Sequence, residues 1–201
     1  MNNLVKSYLI IDKTYDNLEI LKKYMFLIIN KDFTLTKIQD GLIKVSFLEK
    51  EDFIKICLSI KTIKNDLNLN KLLLVETPFY KDSLKLVLKS NESGHLSLYE
   101  LLLQQYKNND INLDFVKDVF FKVDKYIFET AKVYIDLEES VHYTSLYLFT
   151  HRNTINYRIS RFSELSGINL KNGKNILLTR FLIYLYEENN LGELLWFMKH
   201  Y

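Results

Sequence analysis

Between His151 and Arg161 the chain carries Arg152, Asn153, Asn156, Arg158 and Arg161, with Thr154, Tyr157 and Ser160 among them. A guanidinium is a fork of donors that fits the O6/N7 edge of guanine. A carboxamide fits the N6/N7 edge of adenine, and Arg, Ser or Tyr can hold a phosphate. The chemistry these residues suit is groove recognition rather than bond making.

Such side chains need a rigid element to present them, and the apolar spacing supplies one. Ile155, Ile159, Phe162 and Leu165 stand at i, i+4, i+7 and i+10, which predicts a helix from Arg152 to about Ser166 with that stripe turned inward. Asn153, Asn156, Tyr157, Ser160 and Glu164 then point outward. Arg161 stands at one flank, and Arg152 lies in the exposed first turn. Residues at the N-terminal end of a helix in a groove reach the base edges, so Arg152, Asn153 and Asn156 are the leading base-contact candidates. Arg158 sits beside the apolar stripe, where it anchors the helix or reaches a backbone phosphate. His151, next to the turn, suits a helix cap or a phosphate contact better than a metal site, because no Cys or acidic partner stands at ligand spacing. On charge alone, the same cluster would equally serve as a solvated helix face.

The run His142 to Phe149 reads as a short helix, with Thr150 and His151 as a tight break before the longer one. That is the requirement for a helix-turn-helix. Gly167 follows as a C-cap, and Asn172-Gly173 turns the chain into a last helix built on Ile176, Leu177, Phe181, Leu182 and Leu185. From Val141 to Arg180, Arg152, Arg158, Arg161, Lys171, Lys174 and Arg180 face Glu164 alone, although the whole chain has a formal charge of only +2. The basic charge is local, and the total does not point to nucleic acid by itself.

The string Leu148-Phe-Thr-His-Arg-Asn-Thr-Ile-Asn-Tyr-Arg-Ile-Ser-Arg-Phe162 resembles the signature of the C-terminal helix-turn-helix domain of PucR/CdaR-type bacterial regulators. His151, Arg152, Asn153, Thr154, Tyr157, Arg158 and Arg161 match that pattern in spacing and type. The likeness extends upstream through Phe128 to Ile135 and downstream through Gly167-Ile-Asn-Leu170 to the last helix. It implies a DNA-binding transcription regulator whose contacts come from His151, Arg152, Asn153, Thr154, Tyr157, Arg158 and Arg161, to which the outward face of the helix adds Asn156 and Ser160. Two departures stand out. The first helix of the motif usually carries small residues where this chain has Tyr143 and Tyr147, and Thr150 replaces an aliphatic residue at the turn. Family members often carry a sensory region and a degenerate cyclase-like α/β domain upstream, which Lys71 to Lys107 resembles only faintly.

The rest of the chain bounds the alternatives. With one Pro and five Gly against 48% hydrophobic residues, long periodic elements should dominate. Tyr8 to Ile11 suits a strand; Leu18, Leu21, Met25, Ile28 and Ile29 recur at helical spacing. Alternating runs around Phe33 to Lys37 and Ile43 to Phe47 flank Asp40-Gly41, a hairpin signal. Asp52 to Leu67 reads as a helix, Lys71 to Thr77 as a strand and Lys81 to Leu88 as an amphipathic helix. The order fits a small sheet covered by helices on one face. A polar stretch at Asn91 to Gly94 marks the expected boundary, and nothing after it reads as a strand. Leu96 to Tyr106 reads as a helix capped by Ser97, and Leu113 to Asp136 as one or two more.

The expectation is an α+β protein, mostly helical. Residues 1–92 form an α/β sensory or dimerisation domain, 93–124 connecting helices, 125–190 the all-α helix-turn-helix domain and 191–201 an apolar tail. Cys57 is the only cysteine, so neither an internal disulfide nor a thiolate metal site is expected. No run approaches a membrane span or a signal-peptide core, which suggests a cytoplasmic setting. No phosphate-binding loop, nucleophile elbow or dinucleotide fingerprint is present, so neither enzymatic turnover nor a cofactor is expected. The apolar tail Leu191 to Tyr201 and the interior stripe of Leu113 to Val133 exceed what a small two-domain monomer needs to cover, which suggests a homodimer on double-stranded DNA, with a small-molecule effector as a further expected partner. The competing reading is a protein-interaction or ligand-sensing module that keeps the helix-turn-helix without reading DNA.

Overall fold

In the computed structural model, residues 5–200 apart from 80, 89 and 91 are described, and for 82 and 189–200 the backbone alone is described. The chain divides into two compact units, Met1–Ile111 and Asn112–Tyr201.

The first unit is built by alternation. Strand β1 (Val5–Ile11) is followed by α1 (Leu18–Ile29), the hairpin β2 (Phe33–Gln39) and β3 (Leu42–Phe47), α2 (Lys50–Asp66) and β4 (Leu72–Thr77). These four strands lie in the order β2-β3-β1-β4, antiparallel to one another, which is the ferredoxin-like βαββαβ arrangement. Leu9 and Ile11, Ile43, Val45 and Phe47, and Leu72 and Leu74 meet Leu21, Met25 and Ile29 of α1 and Phe53, Ile56, Ile60 and Ile63 of α2 in one core. Every second residue of a strand shares a face, so Tyr8, Ile10, Leu73 and Val75 lie on the other side of the sheet, and they are buried as well. The expectation of a sheet with one covered face therefore needs correcting for β1 and β4, which are buried on both faces, whereas the β2 edge is largely exposed.

The Asp40-Gly41 hairpin forms as expected. Gly41 adopts φ +77°, and a Cβ there would sit 3.0 Å from the Ile11 carbonyl oxygen, whose own backbone N–H donates to the Gly41 carbonyl at 2.9 Å. Only glycine meets both conditions without strain.

Two sequence expectations fail after β4. Lys81 to Leu88 is not an α-helix but a short 3-10 turn over Asp82–Leu86, closed by bonds three residues apart such as Val87 N–H to the Leu84 carbonyl at 3.0 Å. That strand, β5 (Gly94–Ser97), pairs parallel to β4 where no strand was expected. Four residues without clean alternation carry no readable period, and the pairing partner decides their state. The polar residues 92–94 thus lead into the sheet. Helix α3 (Leu98–Lys107) follows at once, started by a capping box in which the Ser97 side chain accepts from the Glu100 N–H and Glu100 accepts from the Ser97 N–H at 2.7 Å. It packs against β4 and β5.

The second unit is all helix: α4 (Leu113–Phe120), α5 (Lys125–Asp136), α6 (Val141–Tyr147), α7 (Arg152–Ser166) and α8 (Lys174–His200). The expected tail is no separate element, because α8 runs through Gly192 to His200. The apolar side chains proposed there as an interface lie outside the described residues. Within the described part of α8, Leu178, Leu182, Ile183 and Leu185 are buried, whereas Leu177, expected in the core, is exposed.

Candidate nucleic-acid interface

Helices α5, α6 and α7 pack against one another, and α8 packs on α4 and α5. The core of this unit is aromatic: Phe120 meets Phe128 edge-on at 5.2 Å, Tyr186 at 5.3 Å and Phe162 of α7 at 6.1 Å between ring centroids. Ile155, Ile159, Phe162 and Ser166 form the buried stripe of α7. The expected fourth member, Leu165, is only half-buried, and Ser166 takes its place because its hydroxyl is satisfied locally. It donates to the Phe162 carbonyl at 2.8 Å and accepts from the Ile168 N–H at 3.1 Å.

Both ends of α7 are fixed. His151 is the N-cap, its Nδ1 accepting from the Asn153 N–H at 3.2 Å. Gly167 ends the helix at φ +83°, its N–H donating to the Ser163 carbonyl at 3.0 Å. The α6–α7 turn at 148–151 folds without glycine. Phe149 takes the left-handed conformation itself (φ +48°), and Thr150 N–H donates to the Ser145 carbonyl at 3.0 Å.

The tyrosines that seemed to crowd α6 do not. Tyr143 and Tyr147 point to solvent, and the buried positions are Thr144 and Ser145, small residues suited to close helix packing. Thr150, half-buried, turns its hydroxyl to the Leu148 carbonyl at 2.9 Å.

The polar face lies where the spacing puts it. His151, Arg152, Asn153, Asn156, Tyr157, Ser160 and Arg161 are exposed, while Thr154 and Arg158 are half-buried. Arg158 is anchored: Nη1 donates to Thr130 Oγ1 of α5 at 3.2 Å, the guanidinium lies 6.0 Å from the centre of the Tyr126 ring, and Thr130 in turn donates to the Tyr126 carbonyl at 2.7 Å. Arg161 pairs with Glu164 at 2.8 Å. Arg180 donates to the Ile135 carbonyl at 3.0 Å with Asp136 3.7 Å away. Two of these basic residues, Arg158 and Arg180, therefore tie α7 and α8 to α5, while Arg161 is paired within its own helix. Arg152, Lys171 and Lys174 are exposed without a carboxylate in any described ion pair.

His142, at the start of α6, lies with Nδ1 2.6 Å from Arg152 Nη2. Nothing in the sequence signals this pair, since it exists only once α6 docks beside α7. Elsewhere in the unit, Lys132 meets Glu187 at 2.5 Å, and that carboxylate raises the Lys132 pKa above its ordinary value. In the first unit, burial and the Glu76 carboxylate push the half-buried Cys57 thiol up to about 12, which leaves it protonated and unreactive at neutral pH. Among the described residues, no group of His, Cys, Asp or Glu could hold a metal ion, and no helix is long and apolar enough to cross a membrane.

A capped helix α7 set across α6 by a short turn, with α5 behind both, defines a helix-turn-helix domain. Residues 127–184 match the family model of the PucR C-terminal helix-turn-helix domain. Over 65 residues the chain is 35% identical to the uncharacterized protein YxkF of Bacillus subtilis (strain 168), a match covering 32% of this chain and 22% of the relative. The match thus spans less than a quarter of the length of that relative. A crystal structure of a regulator of polyketide synthase expression from Bifidobacterium adolescentis aligns over 92% of this chain and 80% of its own, at 13% identity and a TM-score of 0.40.

Proposed function

We propose that the protein is a DNA-binding transcription regulator that reads double-stranded DNA through α7. The observation that carries this reading is the first turn of α7. Arg152 and Asn153 are exposed there on a helix whose position is fixed from behind by Ile155, Ile159 and Phe162, within a segment that matches the PucR helix-turn-helix domain. In a major groove Arg152, Asn153 and Asn156 would meet base edges, with His151, Thr154, Tyr157, Ser160 and Arg161 on phosphates. Arg158 acts from behind the helix as its anchor.

A single helix-turn-helix makes few base contacts, so the working form is a homodimer on spaced half-sites. The sheet unit supplies dimerisation or senses a small molecule, without catalytic turnover, in the cytoplasm. Selection of bound sites from random duplex tests the reading and returns the half-site spacing. Failure to enrich any sequence, or binding to the enriched duplex that does not weaken as salt rises, would remove it.

The exposure of Tyr143, Leu146, Tyr147 and Phe149 around the turn favours a second reading, a protein-interaction module on the same scaffold. Salt-insensitive capture of a protein partner in place of DNA would select it.

A further inference from the structure

A base-reading arginine works best when its fork is already oriented, because a free side chain must give up several rotamers on binding. The arginines of α7 meet this requirement differently. Arg158 is held by Thr130 and Arg161 by Glu164. Arg152 stands at the exposed first turn, and its described partner is a residue of another helix, His142 in the first turn of α6. A guanidinium has donors only. At 2.6 Å, His142 Nδ1 must therefore be the acceptor, which places the ring proton on Nε2.

We infer that His142 is a positioning residue for DNA reading: it orients the Arg152 guanidinium at the opening of the helix-turn-helix without itself specifying a base. The inference rests on the proposal that α7 reads DNA. The pair joins the exposed first turn of α6 to the exposed first turn of α7. An asparagine in its place keeps an acceptor close to the Nδ1 position; an alanine does not.

The test uses the full-length chain, a duplex selected from random DNA and a random duplex. His142→Ala should lower the preference for the selected duplex roughly 3- to 10-fold, the effect of one lost hydrogen bond, while affinity for random duplex and melting temperature stay unchanged. His142→Asn should restore most of that preference. Arg152→Ala should lose roughly 5- to 150-fold, and adding His142→Ala to it should change nothing further. If Arg152→Ala loses preference while His142→Ala keeps it, or if His142→Ala weakens both duplexes equally, the positioning role is overturned and the DNA-reading proposal stands. If both variants keep full preference, Arg152 reads no base and this inference falls; the reading by α7 falls as well only if Asn153→Ala also keeps full preference.

Discussion

The two units are held together by different means. The sheet unit closes on apolar alternation: Phe47, Ile56, Ile63 and Leu72 are fully buried in one continuous core. The helical unit has an aromatic centre, and its helix-to-helix angles rest on side chains alone, among them Arg158 to Thr130, Arg180 to the Ile135 carbonyl and Lys132 to Glu187; the sheet unit also has long-range polar contacts, such as Tyr24 to Asp66 and Gln105 to the Val87 carbonyl, but in addition to its strand pairing. A sheet is already registered by its backbone ladder. Short helices have no such ladder between them and need side chains to fix their angles. The cost is that basic residues, which in sequence look like a nucleic-acid surface, are spent on architecture.

The sharpest way to separate the units is a core deletion in each. Phe162→Ala should destabilise the helical unit by about 3–5 kcal/mol, and Phe47→Ala the sheet unit by a similar amount. Denaturant unfolding followed by hydrogen exchange should place each loss in its own unit. A single transition with protection lost equally from both would show that they do not unfold separately.

Next comes the contrast within α7. Arg152→Ala should change stability by no more than about 0.5 kcal/mol and remove about 1–3 kcal/mol of discrimination between selected and random duplex. Arg158→Ala should do the reverse, costing about 1–2 kcal/mol of stability through the Thr130 bond and the Tyr126 contact. Paired melting and binding curves would read both. Equal losses of discrimination would mean that anchor and reader are not distinct.

The smallest effect belongs to the start of α3. The Ser97 N–H bond holds Glu100 below the ordinary carboxylate range, with the Ser97 hydroxyl and His95 acting in the same direction. A carboxylate whose folded pKa is depressed gives stability that is present above its unfolded value, near 4.3. That stability is lost as pH falls through the lower folded value. Glu100→Gln should therefore lower the urea midpoint of the sheet unit slightly at pH 7 and flatten its decline between pH 5 and pH 3. An unchanged acid limb would show that the capping box contributes nothing through charge.

Most of this architecture was legible because period and burial coincide. The stripe Ile155, Ile159 and Phe162 predicted the helix, its facing and its exposed edge, and Asp40-Gly41 predicted the hairpin. Where periodicity is weak, the sequence misled. Gly94–Ser97 is too short to show alternation, and Leu177 and Leu178 are indistinguishable until packing selects one. Ser166 could not be read as a core residue because its burial depends on two local hydrogen bonds rather than on hydropathy. In the site, residue types marked the exposed face of α7, but not which arginines are free. That depends on Thr130, Glu164 and His142, and for Thr130 and His142 the relation exists only in three dimensions.

Phe149 carries a consequence for handling the protein. Its ring is 97% exposed, and its backbone occupies a conformation that costs a side-chain-bearing residue about 1–2 kcal/mol relative to the ordinary helical basin. With Tyr143, Leu146 and Tyr147 nearby in sequence and also exposed, the free protein presents sticky surface at its turn. Solubility at high concentration should therefore be limited at this corner, and ligands that cover it should act as solubilisers before they act as anything else.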